Sequence, residues 1–132
     1  MKFPIIISIF ISQLFFLAAT NCSDTDKNVS CNDRLTNLDT QRDQIRSLAE
    51  TSICNDNYEC RYIAFGRKPC GRAWEYLVYS TSIDTLKLEN WVTNFNSMEA
   101  TYNKECDAIS DCMAVLAPTG FECKNNSCFP IY

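Results

Sequence analysis

Cysteine is the residue that most constrains how this chain can fold. The chain has 132 residues, of which nine are cysteines and none is histidine. One cysteine stands near the N-terminus, and the other eight are an even set, which in a small exported domain predicts disulfides. These eight are Cys31, Cys54, Cys60, Cys70, Cys106, Cys112, Cys123 and Cys128. Because no Cys-x-x-Cys pair and no histidine is present, we expect no metal site and no cofactor.

The N-terminus has the layout of a secretory signal. Met1 and Lys2 give a positive start, an apolar run extends from Phe3 to Ala19, and Thr20 follows. The run is shorter than the ~20 apolar residues that span a bilayer, and no basic stop-transfer flank follows it. We therefore predict a signal peptide over residues 1–21 and an exported protein of the cell envelope.

Cys22 directly follows this segment. Residues 23–28 are polar and acidic, as suits a flexible tether, which we place at residues 22–32. The N-terminus resembles that of a bacterial lipoprotein, and the resemblance implies a lipid on Cys22 that holds the protein at the outer membrane or cell surface. The sequence departs from the lipoprotein pattern at two positions, because Ala19 and Asn21 stand where lipoprotein signals favour leucine and a small residue. The alternative is cleavage after Ala19 or Thr20, which gives a secreted soluble protein with a free or intermolecularly bonded Cys22.

Residues 33–132 predict a single α+β domain, with two amphipathic helices packed on a small antiparallel sheet and stapled by disulfides. The first helix is expected to begin at Asn32 or Asp33, and the second at Ser82 or Asp84. Apolar residues recur at helical spacing in both. The predicted stripes are Leu35, Leu38, Ile45, Leu48 and Ala49, then Leu88, Trp91, Phe95, Met98 and Tyr102.

Four or five short strands are predicted between and after the helices. The β-prone segments cover residues 61–65, 74–80, 113–117, 121–123 and 128–131. If the helices pack antiparallel, the start of the first lies beside the end of the second, so Cys31–Cys106 is the best disulfide assignment. The sequence does not choose among the pairings of the other six cysteines.

Basic residues concentrate around Cys70, although the net charge of the chain is −4. The net negative charge of the chain argues against nucleic acid as a partner, because the nucleic-acid backbone is also negatively charged. Arg67, Lys68 and Arg72 form a predicted partner-binding loop. One interpretation is a protease-inhibitor loop that presents the Arg67–Lys68 bond to a trypsin-like enzyme, and the other is a solvated basic turn.

No motif predicts an enzyme or a catalytic residue. The absence of histidine removes Ser–His and Cys–His catalysis. Carboxylates are present at Glu75, Glu89, Glu99 and Asp107, but no spacing ties two of them together. Catalysis by carboxylates is therefore the third interpretation of the protein's function, after a binding or structural module and a protease inhibitor.

The segment Cys60–Ser80 resembles a group of small, uncharacterised bacterial envelope proteins, together with Ser110-Asp111-Cys112 and the Cys123-x4-Cys128 spacing. The resemblance implies an exported disulfide domain and no activity. Gly71-Arg72-Ala73 stands where the group has Gly-Gly-Pro. The predicted function is a non-enzymatic envelope or surface lipoprotein that acts as a binding or structural module for an unidentified macromolecule. The alternative is a secreted inhibitor of a trypsin-like protease.

Overall fold

The computed structural model describes residues 29–132. The predicted signal peptide, the lipidation of Cys22 and most of the predicted tether lie outside these residues. The elements are α1 (Cys31–Glu50), β1 (Cys60–Phe65), β2 (Glu75–Ser80), α2 (Thr85–Glu105), β3 (Gly120–Lys124) and β4 (Ser127–Ile131). The predicted α+β class is confirmed.

The N-cap of helix α1 lies two residues before Asn32, the earlier of its two predicted positions. Ser30 is its N-cap, because the Ser30 Oγ accepts from the Asp33 N–H at 3.1 Å and donates to an Asp33 carboxylate oxygen at 2.9 Å. This reciprocal bonding resembles a capping box, and the carboxylate also suits the positive end of the helix dipole. Asn32 and Asp33 are therefore not the cap, and residues 31 and 32 belong to the helix.

Helix α2 begins after Asp84, one of its two predicted caps, and its buried face is shifted slightly from the predicted stripe. The Asp84 carboxylate accepts from the Lys87 N–H at 2.9 Å. The buried residues of α2 are Leu88, Val92, Phe95 and Glu99. Met98 is exposed and Trp91 is only half-buried, which differs from the predicted stripe.

The strands form two separate hairpins rather than one sheet. Strands β1 and β2 are antiparallel, as are β3 and β4, and no ladder joins the two pairs. Asn125 and Asn126 both have positive φ, at 51° and 60°. Two such residues at the centre of a tight hairpin turn match its type I′ geometry. The prediction of a strand at residues 113–117 is wrong, because these residues form no regular secondary structure.

Three disulfides connect these elements. Cys31–Cys106 joins the start of α1 to the end of α2, as expected for antiparallel helices. Cys54–Cys123 and Cys60–Cys128 fasten the second hairpin to the first and to the chain before it. Cys70 and Cys112 are thiols. The structure thus forms three of the four disulfides that the eight cysteines predict.

The core lies where the two helices meet the first hairpin. Its buried members are Leu38, Ile45, Ala49, Phe65, Tyr79, Leu88, Val92 and Phe95. The rings of Phe65 and Phe95 have centroids 5.0 Å apart, which is a favourable aromatic contact. Strand β1 is thereby packed directly on α2.

Replacing Leu88 with alanine tests the assigned core face of α2. Leu88 is 0% exposed, whereas Leu86 on the same helix is 68% exposed. We expect Leu88→Ala to lower the free energy of unfolding by about 2–5 kcal/mol, because a cavity replaces the side chain. The control Leu86→Ala should change it by less than about 0.5 kcal/mol. Chemical denaturation followed by circular dichroism measures both, and equal losses would contradict the assigned face.

Candidate functional site

The predicted partner-binding residues lie in a basic loop, residues 66–72, which α2 holds through the loop backbone. Asn96, Glu99 and Asn103 lie on one face of α2, at steps of three and four residues. Asn96 Oδ1 accepts from the Gly66 N–H at 2.7 Å. Glu99 accepts from the Arg67 N–H, and the Asn103 amide donates to the Arg67 carbonyl. One helix face therefore fixes the entry of the loop.

Glu99 is a buried charge at the centre of this arrangement. Only 5% of the residue is exposed. Its second partner is Arg42 of α1, whose Nη2 lies 2.9 Å from Glu99 Oε1. A buried carboxylate without such partners would be strongly unfavourable. Glu99 thus connects α1, α2 and the basic loop.

Gly66 is required where the loop leaves β1. Its φ is +77°, and a Cβ at this position would lie 2.6 Å from Trp74 Cδ1. Any other residue would be strained in the backbone and would collide with the indole ring. The loop then closes on itself, because the Lys68 N–H donates to the Arg72 carbonyl at 2.7 Å.

Lys68 points inward, although it was predicted to contact a partner. It is only 5% exposed. Its Nζ lies 2.6 Å from Asp111 Oδ1, 3.0 Å from the Met113 carbonyl oxygen and 4.9 Å from the centroid of the Trp74 ring. This corrects the prediction for Lys68. Arg67 and Arg72 remain on the surface.

The Lys68 ammonium also acts on its partner. Its hydrogen bond and its charge hold the pKa of Asp111 below the ordinary value of 3.8. Asp111 lies in the chain that follows α2, so this ion pair attaches that chain to the basic loop. The sequence offered no signal for the contact, because Lys68 and Asp111 are 43 residues apart.

Residues 107–119, which Lys68 holds, are the apolar segment. They form neither helix nor strand. Ile109, Met113 and Leu116 are 95%, 73% and 74% exposed. The segment is held at its far end, where the Thr119 N–H donates to the Ile131 carbonyl at 2.7 Å. Its backbone is therefore anchored while its large apolar side chains face solvent.

A basic cleft lies between the basic loop and α2. Its volume is about 380 Å³, and it is lined by Arg67, Lys68, Pro69, Gly71, Ala100, Asn103 and Lys104. Arg67 and Lys104 are its exposed cations. An acidic chain thus carries a local basic surface next to the apolar segment.

Cys70 and Cys112 bring two thiols together between the basic loop and the apolar segment. Both are exposed. The interaction between the two thiols lowers the pKa of Cys70 and raises that of Cys112. The N–H of Arg72 and the Lys68 ammonium also lower the pKa of Cys70, against the effect of its partial desolvation. Sequence reasoning counted both residues among the disulfide cysteines but did not pair them.

A second sulfur cluster has no capacity for a metal. The Sγ atoms of Cys54, Cys60 and Cys128 lie within 4.8 Å of one another. All three are in disulfides, and the ligand that binds a metal is the thiolate. The cluster is therefore a pair of adjacent disulfides that stabilises the hairpins.

The Arg67–Lys68 bond has a poor geometry for a protease-inhibitor loop. A serine protease binds the carbonyl oxygen of the scissile bond in its oxyanion hole. The Arg67 carbonyl oxygen instead accepts from Asn103, and the Arg67 N–H donates to Glu99. Both sides of this peptide bond are therefore engaged within the protein, because the Lys68 N–H also donates to the Arg72 carbonyl.

The chain matches no protein-family model, no curated protein and no solved structure.

The ion pair between Lys68 and Asp111 predicts an acid-sensitive contribution to stability. Because folding lowers the pKa of Asp111 below 3.8, the contribution is present above that pH and is lost as the pH falls below it. We expect Lys68→Met to return the Asp111 pKa to its ordinary value, measured by NMR of the carboxyl carbon. Arg72→Met, in the same loop, is the matched control and should leave it unchanged. An unchanged pKa in Lys68→Met would show that the pair does not form in solution.

Proposed function

We propose that this protein is a non-enzymatic, exported binding module, anchored in the cell envelope through Cys22, that contacts a protein partner through the apolar segment. The observation that carries the proposal is the exposure of Ile109, Met113 and Leu116 in a segment whose backbone is held in place. Single exposed apolar residues are common on protein surfaces, but several of them within one short segment are unusual and favour an interaction site.

The surroundings of the apolar segment favour a partner that is both apolar and acidic. Lys68 holds the segment beside the basic loop, where Arg67 and Arg72 are exposed. Methionine and arginine are enriched in protein interfaces, and arginine is frequent among the residues that dominate binding energy. Lys104 extends the positive charge into the basic cleft. We infer that acidic residues of the partner lie against this charge while its apolar residues cover Met113 and Leu116.

The anchoring of the apolar segment also supports a binding role. The Cys31–Cys106 disulfide precedes the segment, Lys68 holds its middle and Thr119 holds its end. Binding of a segment already held in shape loses less conformational entropy than binding of a disordered one. The segment is thus prepared to bind without first having to fold.

The proposed location is supported by three features. The three disulfides are compatible with an exported protein, and residues 1–21 have a signal-peptide layout followed by Cys22. The resemblance of residues 60–128 to small bacterial envelope proteins points to the same compartment. Within residues 29–132, no helix is long and apolar enough to cross a membrane.

The carboxylates that sequence reasoning considered for catalysis mostly have structural partners. Glu99 is bonded to Arg42 and to the Arg67 N–H. Glu75 pairs with Arg46 at 2.7 Å, and Glu89 accepts from the buried Tyr79 hydroxyl at 2.9 Å. These contacts support a non-enzymatic proposal, because each of these three carboxylates is engaged in holding the fold.

A photocrosslinking experiment tests the proposed binding surface. We expect a benzophenone amino acid at position 116 to crosslink one protein in the cells that produce this chain. The same group at position 86 is the control, since Leu86 and Leu116 are similarly exposed, at 68% and 74%. The crosslink should be lost when Ile109 and Met113 are both replaced by serine. No crosslink at position 116, or equal crosslinks at both positions, would contradict the proposed surface.

The lipid anchor is tested by partitioning between detergent and water. We expect the full chain to enter the detergent phase, and Cys22→Ala to remain in the aqueous phase, because a bound acyl chain supplies the affinity for detergent. Cys70→Ala removes a different exposed cysteine and should still enter the detergent. Aqueous partitioning of all three proteins would contradict anchoring and favour the secreted soluble alternative.

A further inference from the structure

We propose that Cys70 and Cys112 form a thiol–disulfide exchange site, in which Cys70 attacks a low-molecular-weight disulfide and Cys112 resolves the product. This activity is separate from the proposed binding role. It assigns a function to the two thiols that lie outside the three disulfides within residues 29–132.

The structure places the two thiols together through contacts of their neighbours. Lys68, two residues before Cys70, bonds to Asp111, the residue before Cys112, and to the carbonyl of Met113, the residue after it. The Cys70 Sγ itself lies 3.9 Å from the Asp111 carbonyl oxygen. Both thiols are exposed, so an external disulfide can reach them.

The surroundings of the two sulfurs divide the roles between them. Interactions with the Cys112 thiol, the Arg72 backbone and the Lys68 ammonium lower the pKa of Cys70. These groups stabilise a thiolate at Cys70. The interaction with Cys70 and the negative charge of the preceding Asp111 raise the pKa of Cys112 and so oppose its ionisation. Because the thiolate is the attacking species, Cys70 is the nucleophile and Cys112 is the resolving residue.

The chemistry is a pair of balanced exchanges. The Cys70 thiolate attacks one sulfur of the external disulfide, so that its S–S bond breaks, one thiolate leaves and a mixed disulfide forms on Cys70. Cys112 then loses its proton and attacks the Cys70 sulfur, forming Cys70–Cys112 and releasing the second thiolate. The two protein thiols lose two electrons and two protons, and the external disulfide becomes two thiols. The new bond joins the basic loop covalently to the apolar segment.

The experiment uses the full chain with Cys22→Ser, so that the ninth cysteine does not exchange. The native protein is first incubated with reduced glutathione and then titrated with an alkylating reagent. We expect two thiols, at Cys70 and Cys112, while the three disulfides of the structure remain intact. Subsequent glutathione disulfide should remove two hydrogens from the intact mass, with a peptide map that links residues 70 and 112.

Two single variants test the assigned roles. Cys112→Ser should accumulate one glutathione adduct on Cys70, because the resolving thiol is missing. Cys70→Ser should form its adduct on Cys112 at least about tenfold more slowly, because that thiol ionises less readily. Their circular dichroism spectra control for the fold.

Three results would overturn the proposal. The first is that glutathione frees the thiols of Cys70 and Cys112 only under conditions that also reduce the other disulfides. That result would make Cys70–Cys112 a structural bond. The second is that the wild-type protein keeps glutathione adducts without closing the bond. The third is that the two variants react at equal rates.

Discussion

The antiparallel packing of α1 on α2 is the constraint on which the other contacts depend. Leu38 and Ile45 of α1 and Val92 and Phe95 of α2 are buried in the shared core. Cys31–Cys106 closes one end of the pair across a sequence separation of 75 residues. A cross-link over so long a loop stabilises a fold by about 2–4 kcal/mol, mainly by restricting the unfolded chain. In a domain of this size, that stabilisation supplements a small hydrophobic core.

Helix α2 also serves as the frame of the candidate site. Its apolar side chains pack into the core, whereas Asn96, Glu99 and Asn103 bind the backbone that leaves β1. Glu99 is shared between both roles, since it is buried and also bonds to Arg42 of α1. Because the same helix holds the core and the basic loop, the position of the loop is set by the packing of the helices. Lys68 of the loop in turn fixes the position of the apolar segment, through its contacts with Asp111 and Met113.

Much of the secondary structure could be predicted, whereas the site could be predicted only in part. Asp84 was recognisable as a cap because an acidic residue before an apolar periodic run has a local physical role. Lys68 was misassigned to the surface, since a lysine in a loop rich in glycine and proline is usually solvated. Its partners Asp111 and Met113 are 43 and 45 residues away. The strand predicted at residues 113–117 failed for a related reason, because β-propensity requires a neighbouring strand to become structure.

By itself, the sequence determined that the domain is α+β, that it has two amphipathic helices and that cysteines stabilise it. These properties follow from local periodicity, capping and composition, which act between residues close in the chain. Only the tertiary structure decided which face of α2 is buried, that Lys68 points inward, and that Cys70 and Cys112 meet as thiols. Those outcomes depend on contacts between residues distant in the chain, and such contacts are set by the packing of whole elements rather than by any local pattern.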